Sequence, residues 1–178
     1  MRVISGQAKG RRLVAPLPAT VRPTADRVKE ALFSIVFSRG GVQDWVVADL
    51  FCGSGALGIE ARSRGAAEVV FVDNDLRSIK ATEENLVATG LGLDQTVRVR
   101  ASLPGWSSPR HFDLVIADPP YAFTEWPELL SGIDADLVVA ESDRPLPEIP
   151  GWQTTRARRH GTTLLTVLEP LDVADDAS

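Results

Sequence analysis

The chain has 178 residues, 44% hydrophobic and 24% charged, with one cysteine, two histidines and a net charge of -5. That length suits a single domain around one core; the lone Cys52 excludes an internal disulfide, and two separated histidines with one thiol leave no zinc-type ligand spacing, so a metal-free mechanism is expected. Apolar runs such as VVFV and LVVA fall far short of the ~20 residues that cross a bilayer, and the N-terminus shows no apolar leader, so a soluble cytoplasmic protein without membrane association is expected.

The charge is unevenly placed. Residues 1–22 hold Arg2, Lys9, Arg11, Arg12 and Arg22 and no acid, so this segment is +5 and the remainder -10. An acid-free basic segment on an acidic chain suits contact with a polyanion, because Lys and Arg displace condensed counterions. Within it RVISG and RRLVA read as short strands around GQAKG, a hairpin or extended arm. In VRPTADRVKEALFSIV, residues Val28, Ala31, Leu32, Ile35 and Val36 recur at helical spacing, with Thr24 as the expected N-cap after Pro23 and Gly40-Gly41 as the stop.

From Trp45 onward the pattern alternates. Strands are expected at Trp45–Asp49, Glu68–Asp73, Thr96–Arg100, Phe112–Asp118 and Asp136–Glu141, with helices at Leu57–Ser63, Leu76–Ala88 and near Trp126–Leu130. Continuous apolar strands alternating with helices predict an α/β domain with a mostly parallel sheet covered on both faces. WQTTRAR and TTLLTVLE then follow without a helix between them, hence a closing antiparallel hairpin and seven strands in all. A second basic run, Arg156 to His160, is equally compatible with solvated surface and with a partner site. The organisation expected is a basic arm over 1–22, an α/β domain over 23–170 and a short acidic, disordered tail over 171–178.

DLFCGSGALG, Asp49 to Gly58, ends the first strand of that domain. Gly53, Gly55 and Gly58 give the G-x-G-x-x-G spacing that turns a strand tightly into a helix and brings backbone amides close to a cofactor. Asp73 follows Gly53 by 20 residues at the end of the next strand, placed to accept hydrogen bonds from the ribose hydroxyls of an adenosine. A carboxylate at Asp49, ahead of the glycines, would repel a diphosphate but suits a cofactor with a cationic amino-acid end, such as S-adenosylmethionine. Cys52 in this loop reads as a packing residue, not a nucleophile.

ADPPY, Ala117 to Tyr121, closes the fourth parallel strand. An exocyclic amine on a base is a poor nucleophile because its lone pair is delocalised into the ring. Acceptors at the Asp118 side chain and the Pro119 carbonyl would hold both N–H hydrogens and direct the lone pair at a methyl group. Pro119 and Pro120 stiffen the turn, and Tyr121 offers an aromatic face for an extruded base.

With these motifs in order, the chain resembles the RsmD type of bacterial small-subunit ribosomal RNA guanine-N2 methyltransferases. The resemblance runs through RVISGQAKGRRL, VRPTADRVKEALF, DLFCGSGALGIEARSRGA, VDND, FDLVIADPPY, VVAESD and RRHGTTLLTVLEP; SGxxKGRRL and RPTxDRVKEALF are its more particular parts. It implies a Rossmann-like class I methyltransferase fold, S-adenosylmethionine as donor, and the N2 of one guanine of 16S rRNA, guanine 966, as acceptor in an assembled small-subunit context, with the enzyme a monomer. Carried over by position, Phe51 joins Asp49 and the three glycines in the cofactor loop, Asn74 lies near the adenine, and Thr24 with Arg27 caps the methionine end. Arg2, Lys9, Arg11, Arg12 and Arg22 then meet rRNA phosphates. After the third strand, where related enzymes often carry a polar adenine reader, this chain has Ala101 and Ser102. The alternatives are transfer to another RNA or to adenine N6 of DNA, an NAD-dependent oxidoreductase on the same glycine pattern, and an RNA-binding protein with a vestigial pocket.

Overall fold

Parallel neighbours cannot be joined by a tight turn, so each apolar strand must be followed by a segment that carries the chain back across the sheet. In the computed structural model, which describes residues 1–15 and 26–171, the order is α1 (Asp26–Phe37), β1 (Val46–Leu50), α2 (Ala56–Ser63), β2 (Glu68–Asp73), α3 (Leu76–Thr89), β3 (Thr96–Arg100), β4 (His111–Phe112), β5 (Leu114–Ala117), α4 (Trp126–Ser131), β6 (Asp134–Ala135), β7 (Val138–Ser142), β8 (Trp152–His160) and β9 (Thr163–Pro170). Seven strands form one sheet in the order β3-β2-β1-β5-β7-β9-β8. β3, β2, β1, β5 and β7 are parallel, and β9 runs antiparallel to both β7 and β8. The expected closing hairpin is present.

Successive side chains on a strand face opposite ways, so each central strand feeds two cores. Val47, Val69, Phe71, Ile116 and Val139 pack under Leu32, Phe33 and Val36 of α1, Leu57 and Ile59 of α2, and Leu86 of α3. Ala48, Leu50, Val70, Val72, Val115 and Val138 pack on the other face with Trp126, Leu129 and Leu130 of α4. Burial on both faces is why these strands read as unbroken apolar runs instead of alternating ones. No helix of the described residues is long and apolar enough to cross a membrane.

Two details depart from the sequence expectations. The expected strand Phe112–Asp118 is broken at Asp113, whose carboxylate accepts the Val46 N–H at 2.6 Å and whose own N–H donates to the Val46 carbonyl at 3.0 Å. β4 therefore leaves the main sheet and pairs with β6 in a separate two-stranded sheet. There His111 is clamped, with Nδ1 3.0 Å from Asp134 and Nε2 3.3 Å from Asp136. His111, Asp113 and Asp136 could offer three metal-ligand atoms within 4.8 Å of one another, but both imidazole nitrogens are already engaged by carboxylates. Those carboxylates raise the His111 pKa above its usual 6.5, led by the hydrogen bond to Asp134. The clamp thus contributes stability below the unfolded imidazole pKa and loses it as pH rises through the folded one. In thermal melts, wild type should exceed His111→Gln most at pH 5.5 and converge with it by pH ~8.5; the half-exposed pair keeps the effect small and salt-sensitive.

The second departure is the N-terminal segment. The two strands expected there reduce to one antiparallel bridge, Arg2 to Arg12, and what holds the segment is a buried polar latch. Glu60 of α2, fully buried, accepts the backbone N–H groups of Ile4 at 2.7 Å and Ser5 at 2.9 Å, and Arg64 Nε at 2.8 Å. Lys29 of α1, also fully buried, lies 3.5 Å from Glu60 and donates to the Arg2 carbonyl. Burial lowers the Lys29 pKa, opposed by the Glu60 charge. Further along, Ala8 N–H donates to Ser63 Oγ at 2.9 Å, and Val14 exchanges two bonds with the Asn85 side chain at 2.8 Å each. Glu60→Ala would strand a buried ammonium and release the latch, so urea unfolding should show a loss of about 3–5 kcal/mol. Thr24, Arg22 and the tail from 172 lie outside the described residues.

Candidate active site

Strand order reverses between β1 and β5, and ligands of open parallel sheets sit in the crevice beyond the carboxyl ends at such a point. The register sets two carboxyl-bearing strand ends level with the start of the glycine loop. Leu50 pairs with Val72 on one side and Ala117 on the other, so Asp73 and Asp118 flank Phe51 from opposite sides. At ~4.8 Å per strand, their backbones stand about 10 Å apart across the crevice.

The glycine loop is shaped by what surrounds it. Gly55 sits at φ +74° as the residue preceding α2, where a Cβ would also strike Thr82 at 2.7 Å. Gly58 lets α2 lie directly on β2, since a Cβ there would meet the Phe71 ring at 2.3 Å. Phe51, at φ +60°, is strained as glycine would not be. Its ring packs edge-on against Phe123 at 5.1 Å, and Phe123 against Trp126 at 5.3 Å. The strained residue thereby ties the glycine loop to the turn after Asp118, so the two motifs form one unit.

Asp49 is buried beneath this loop, its Oδ2 accepting the Gly58 N–H at 2.8 Å at the start of α2. Burial pushes its pKa well above the usual carboxylate range; the Gly58 bond opposes this, and the charges of Asp118 and Asp73 add to it. Asp73 accepts Gly53 N–H at 2.9 Å through Oδ2 and Asp75 N–H at 2.9 Å through Oδ1, with lone pairs remaining on both oxygens. Burial, with Asp49 and Asp73 nearby, pushes the Cys52 thiol well up, which fits packing and disfavours a thiolate.

Across the crevice, Pro119, Pro120 and Tyr121 form one wall of a cleft of about 330 Å³, with Phe123, Glu141 and Arg144 among the other lining residues. Tyr121, 38% exposed, directs its hydroxyl to Thr163 Oγ1 at 3.4 Å, and Thr163 donates to Glu141 at 3.2 Å. The structure therefore gathers Asp49, Phe51, Gly53, Gly55, Gly58, Asp73, Asp118, Pro119, Pro120 and Tyr121 along one rim. Asn74 follows Asp73, exposed, its carbonyl accepting Arg100 Nε at 3.2 Å. Ala101 stands beside Asp73, donating its N–H to the Asp73 carbonyl at 3.1 Å. Lys9, Arg11 and Arg12 are exposed on the latched segment, and Arg2 lies 3.5 Å from Asp26. Arg27 is set beside the terminal hairpin, where its charge reaches His160. Sequence reasoning passed over Glu141 and Thr163. The missed signal in VVAESD is an acid ending an apolar strand, as in Asp49 and Asp118, and the Ala117–Ala140 pairing sets Glu141 level with Asp118.

A carboxylate-backed glycine loop facing a D-P-P-Y turn across a switch point is an arrangement for moving a small group between an adenosine-bearing donor and a planar acceptor. Comparison with known proteins agrees. The profile of the family described as Conserved hypothetical protein 95 matches residues 1–169. Ribosomal RNA small subunit methyltransferase D of Escherichia coli is 32% identical over 90% of this chain and 85% of its own. The chain belongs to the RsmD family. YlbH of Bacillus subtilis, another relative, is 38% identical over 92% of this chain and 95% of its own length. The solved structure of yhhF from Escherichia coli superposes with a TM-score of 0.81 at 31% identity, covering 96% of this chain and 97% of that one. The RsmD-family chain thus has the Rossmann-like class I methyltransferase fold, and it is a methyltransferase by membership.

Proposed function

We propose that this RsmD-family protein methylates the exocyclic N2 of a guanine in small-subunit 16S rRNA, guanine 966, using S-adenosylmethionine, as a cytoplasmic monomer acting on the subunit or an assembly intermediate. The observation that carries this is the level placement of Asp73, Phe51 and Asp118 on three adjacent strands, with the cleft opening on the Asp118 side. The residues present fit the donor: Asp73 retains acceptor capacity for two ribose hydroxyls, the glycine turn permits close backbone approach, and Asp49, Asp73 and Asp118 make the rim favourable to a cation. S-adenosylmethionine supplies an electrophilic methyl on a positively charged sulfur, with a neutral thioether as leaving group.

The protein's share of the chemistry is positioning. The Asp118 carboxylate and the Pro119 carbonyl accept the two amine hydrogens, which turns the nitrogen lone pair toward the methyl. Tyr121 stacks on the base at the cleft mouth, held by its bond to Thr163. No base is needed before transfer, because the methylated nitrogen is cationic and releases its proton to water afterwards. Asn74 and the backbone at Ala101 border the adenine, and Thr24 caps the methionine end; Arg27, expected beside it, stands by the terminal hairpin near His160. Arg2, Lys9, Arg11, Arg12 and Arg22 meet phosphates.

Tritiated S-adenosylmethionine with undermethylated small subunits, naked 16S rRNA or duplex DNA tests the assignment. Label in one guanine of the small-subunit RNA, located by mass mapping, is the expected result. Label in DNA with silent ribosomal substrates overturns it, as does calorimetric binding of NAD but not S-adenosylhomocysteine.

A further inference from the structure

Six of the described arginines are matched by an acid: Arg2 with Asp26, Arg39 with Glu169, Arg64 with Glu60, Arg77 with Asp75, Arg110 with Glu68 and Arg144 with Asp143. Arg156, Arg158 and Arg27 are not, and what sets them apart is that they gather in one place. All three are exposed, and among the described residues none has an acidic partner. The register explains how they meet. In the β8–β9 hairpin, Arg156 pairs with Val167, Arg158 with Leu165 and His160 with Thr163. Directly paired residues project to the same side of a sheet, and Leu165 and Val167 belong to the core beneath α1. Arg156, Arg158 and His160 therefore project to the α1 side, where Arg27 stands in the first turn of that helix. At the far end of α1, Arg39 bonds Glu169 at 2.7 Å and Thr155 at 3.4 Å, which pins helix to hairpin. Thr155 lies at a register shift between Thr154 and Arg156, a bulge that twists the exposed edge strand. The closeness of the cations is felt by His160, whose pKa is lowered by burial and by the charges of Arg158, Arg27 and Arg156.

Three like charges gathered without a counter-charge are unfavourable until an anion arrives. The cluster also adjoins the cleft, since Thr163, paired with His160, is the residue that holds Tyr121. Arg156 and Arg158, two residues apart on one strand, stand about 7 Å from each other, far enough to take separate phosphates of one nucleic-acid strand.

We propose that Arg156, Arg158 and Arg27 form a phosphate-binding surface bordering the acceptor cleft, which grips the RNA backbone next to the target base. The inference rests on the reading of the protein as an RNA methyltransferase and gives that reading a second contact surface besides the N-terminal segment. It is backbone recognition: it positions the strand and carries no sequence information.

The test compares wild type with Arg156→Glu/Arg158→Glu and the milder Arg156→Gln/Arg158→Gln, on undermethylated small subunits and on naked 16S rRNA. Both variants should bind either substrate at least 10-fold more weakly at 0.15 M salt. The slope of log affinity against log salt should fall by about 0.7–0.9 for each phosphate the variant no longer neutralises. Affinity for S-adenosylhomocysteine and the melting temperature should stay at wild-type values. Wild-type affinity and salt slope in both variants overturn the surface while leaving the enzymatic assignment intact. A defect seen with subunits but not with naked rRNA overturns it in favour of a ribosomal-protein contact, and parallel loss of S-adenosylhomocysteine binding overturns it in favour of a structural role. If wild type binds RNA through these residues yet labels no guanine, the surface stands and the proposed reaction falls.

Discussion

Asp118→Ala is expected to cut turnover on the RNA substrate by about 10²- to 10³-fold, equivalent to roughly 3–4 kcal/mol of lost transition-state stabilisation. The Asp118 carboxylate stands at the end of β5, and its N–H lies 3.4 Å from the Leu50 carbonyl, so the turn begins where the sheet still fixes the backbone. Truncating the side chain removes one of two acceptors for the amine hydrogens and leaves the nitrogen lone pair free to rotate away from the methyl. S-adenosylhomocysteine binding should be unaffected, because the Asp49, glycine-loop and Asp73 contacts are untouched. Asp118→Asn keeps one acceptor oxygen and should retain more turnover than the alanine variant. The measurements are single-turnover methylation and calorimetry. A variant that turns over as wild type would remove Asp118 from the chemistry, and one that loses S-adenosylhomocysteine affinity in proportion to rate would make it a support of the loop.

Asp49→Asn is the second change with a large expected effect, and it acts on the donor. The asparagine oxygen can still accept the Gly58 N–H, so loop geometry should persist while the charge beneath it disappears. A cation and a carboxylate ~4–8 Å apart at an effective dielectric of ~20 attract by about 2–4 kcal/mol, so affinity for S-adenosylmethionine should drop on the order of 10²-fold. The uncharged thioether of S-adenosylhomocysteine should lose less. Because burial raises the Asp49 pKa, the ionised form grows as pH climbs through that raised value, and the preference of wild type for S-adenosylmethionine over S-adenosylhomocysteine should grow with it. The stability sign is the reverse. A carboxyl whose folded pKa is raised favours folding below its unfolded pKa, and that contribution is lost as pH rises through the folded one. The unliganded Asn variant should therefore lack this downward trend and melt no lower than wild type at neutral pH. Equal affinity of wild type and variant for both ligands, at every pH, would remove the electrostatic role.

The α/β alternation was legible in the residues alone, because Val-rich runs buried on both faces carry a local signature that does not depend on partners. So were the chemistry-bearing strand ends. Glycines needed for a positive φ or a close approach, prolines that stiffen a turn, and carboxylates ending apolar strands are all legible one element at a time. Folding settled what depends on register and long-range pairing. It levelled Asp73, Phe51 and Asp118, set the strained Phe51 edge-on against Phe123, and added Glu141 and Thr163 to the cleft. It broke the fourth strand at Asp113 for one side-chain bond to Val46, which no periodicity reports. Lys29 and Glu60 read as ordinary polar positions on helices, and their complete burial follows only from the N-terminal segment folding over both. The gathering of Arg27 with Arg156 and Arg158 likewise joins residues about 130 positions apart, and Coulomb repulsion among them exists only once α1 lies across the hairpin.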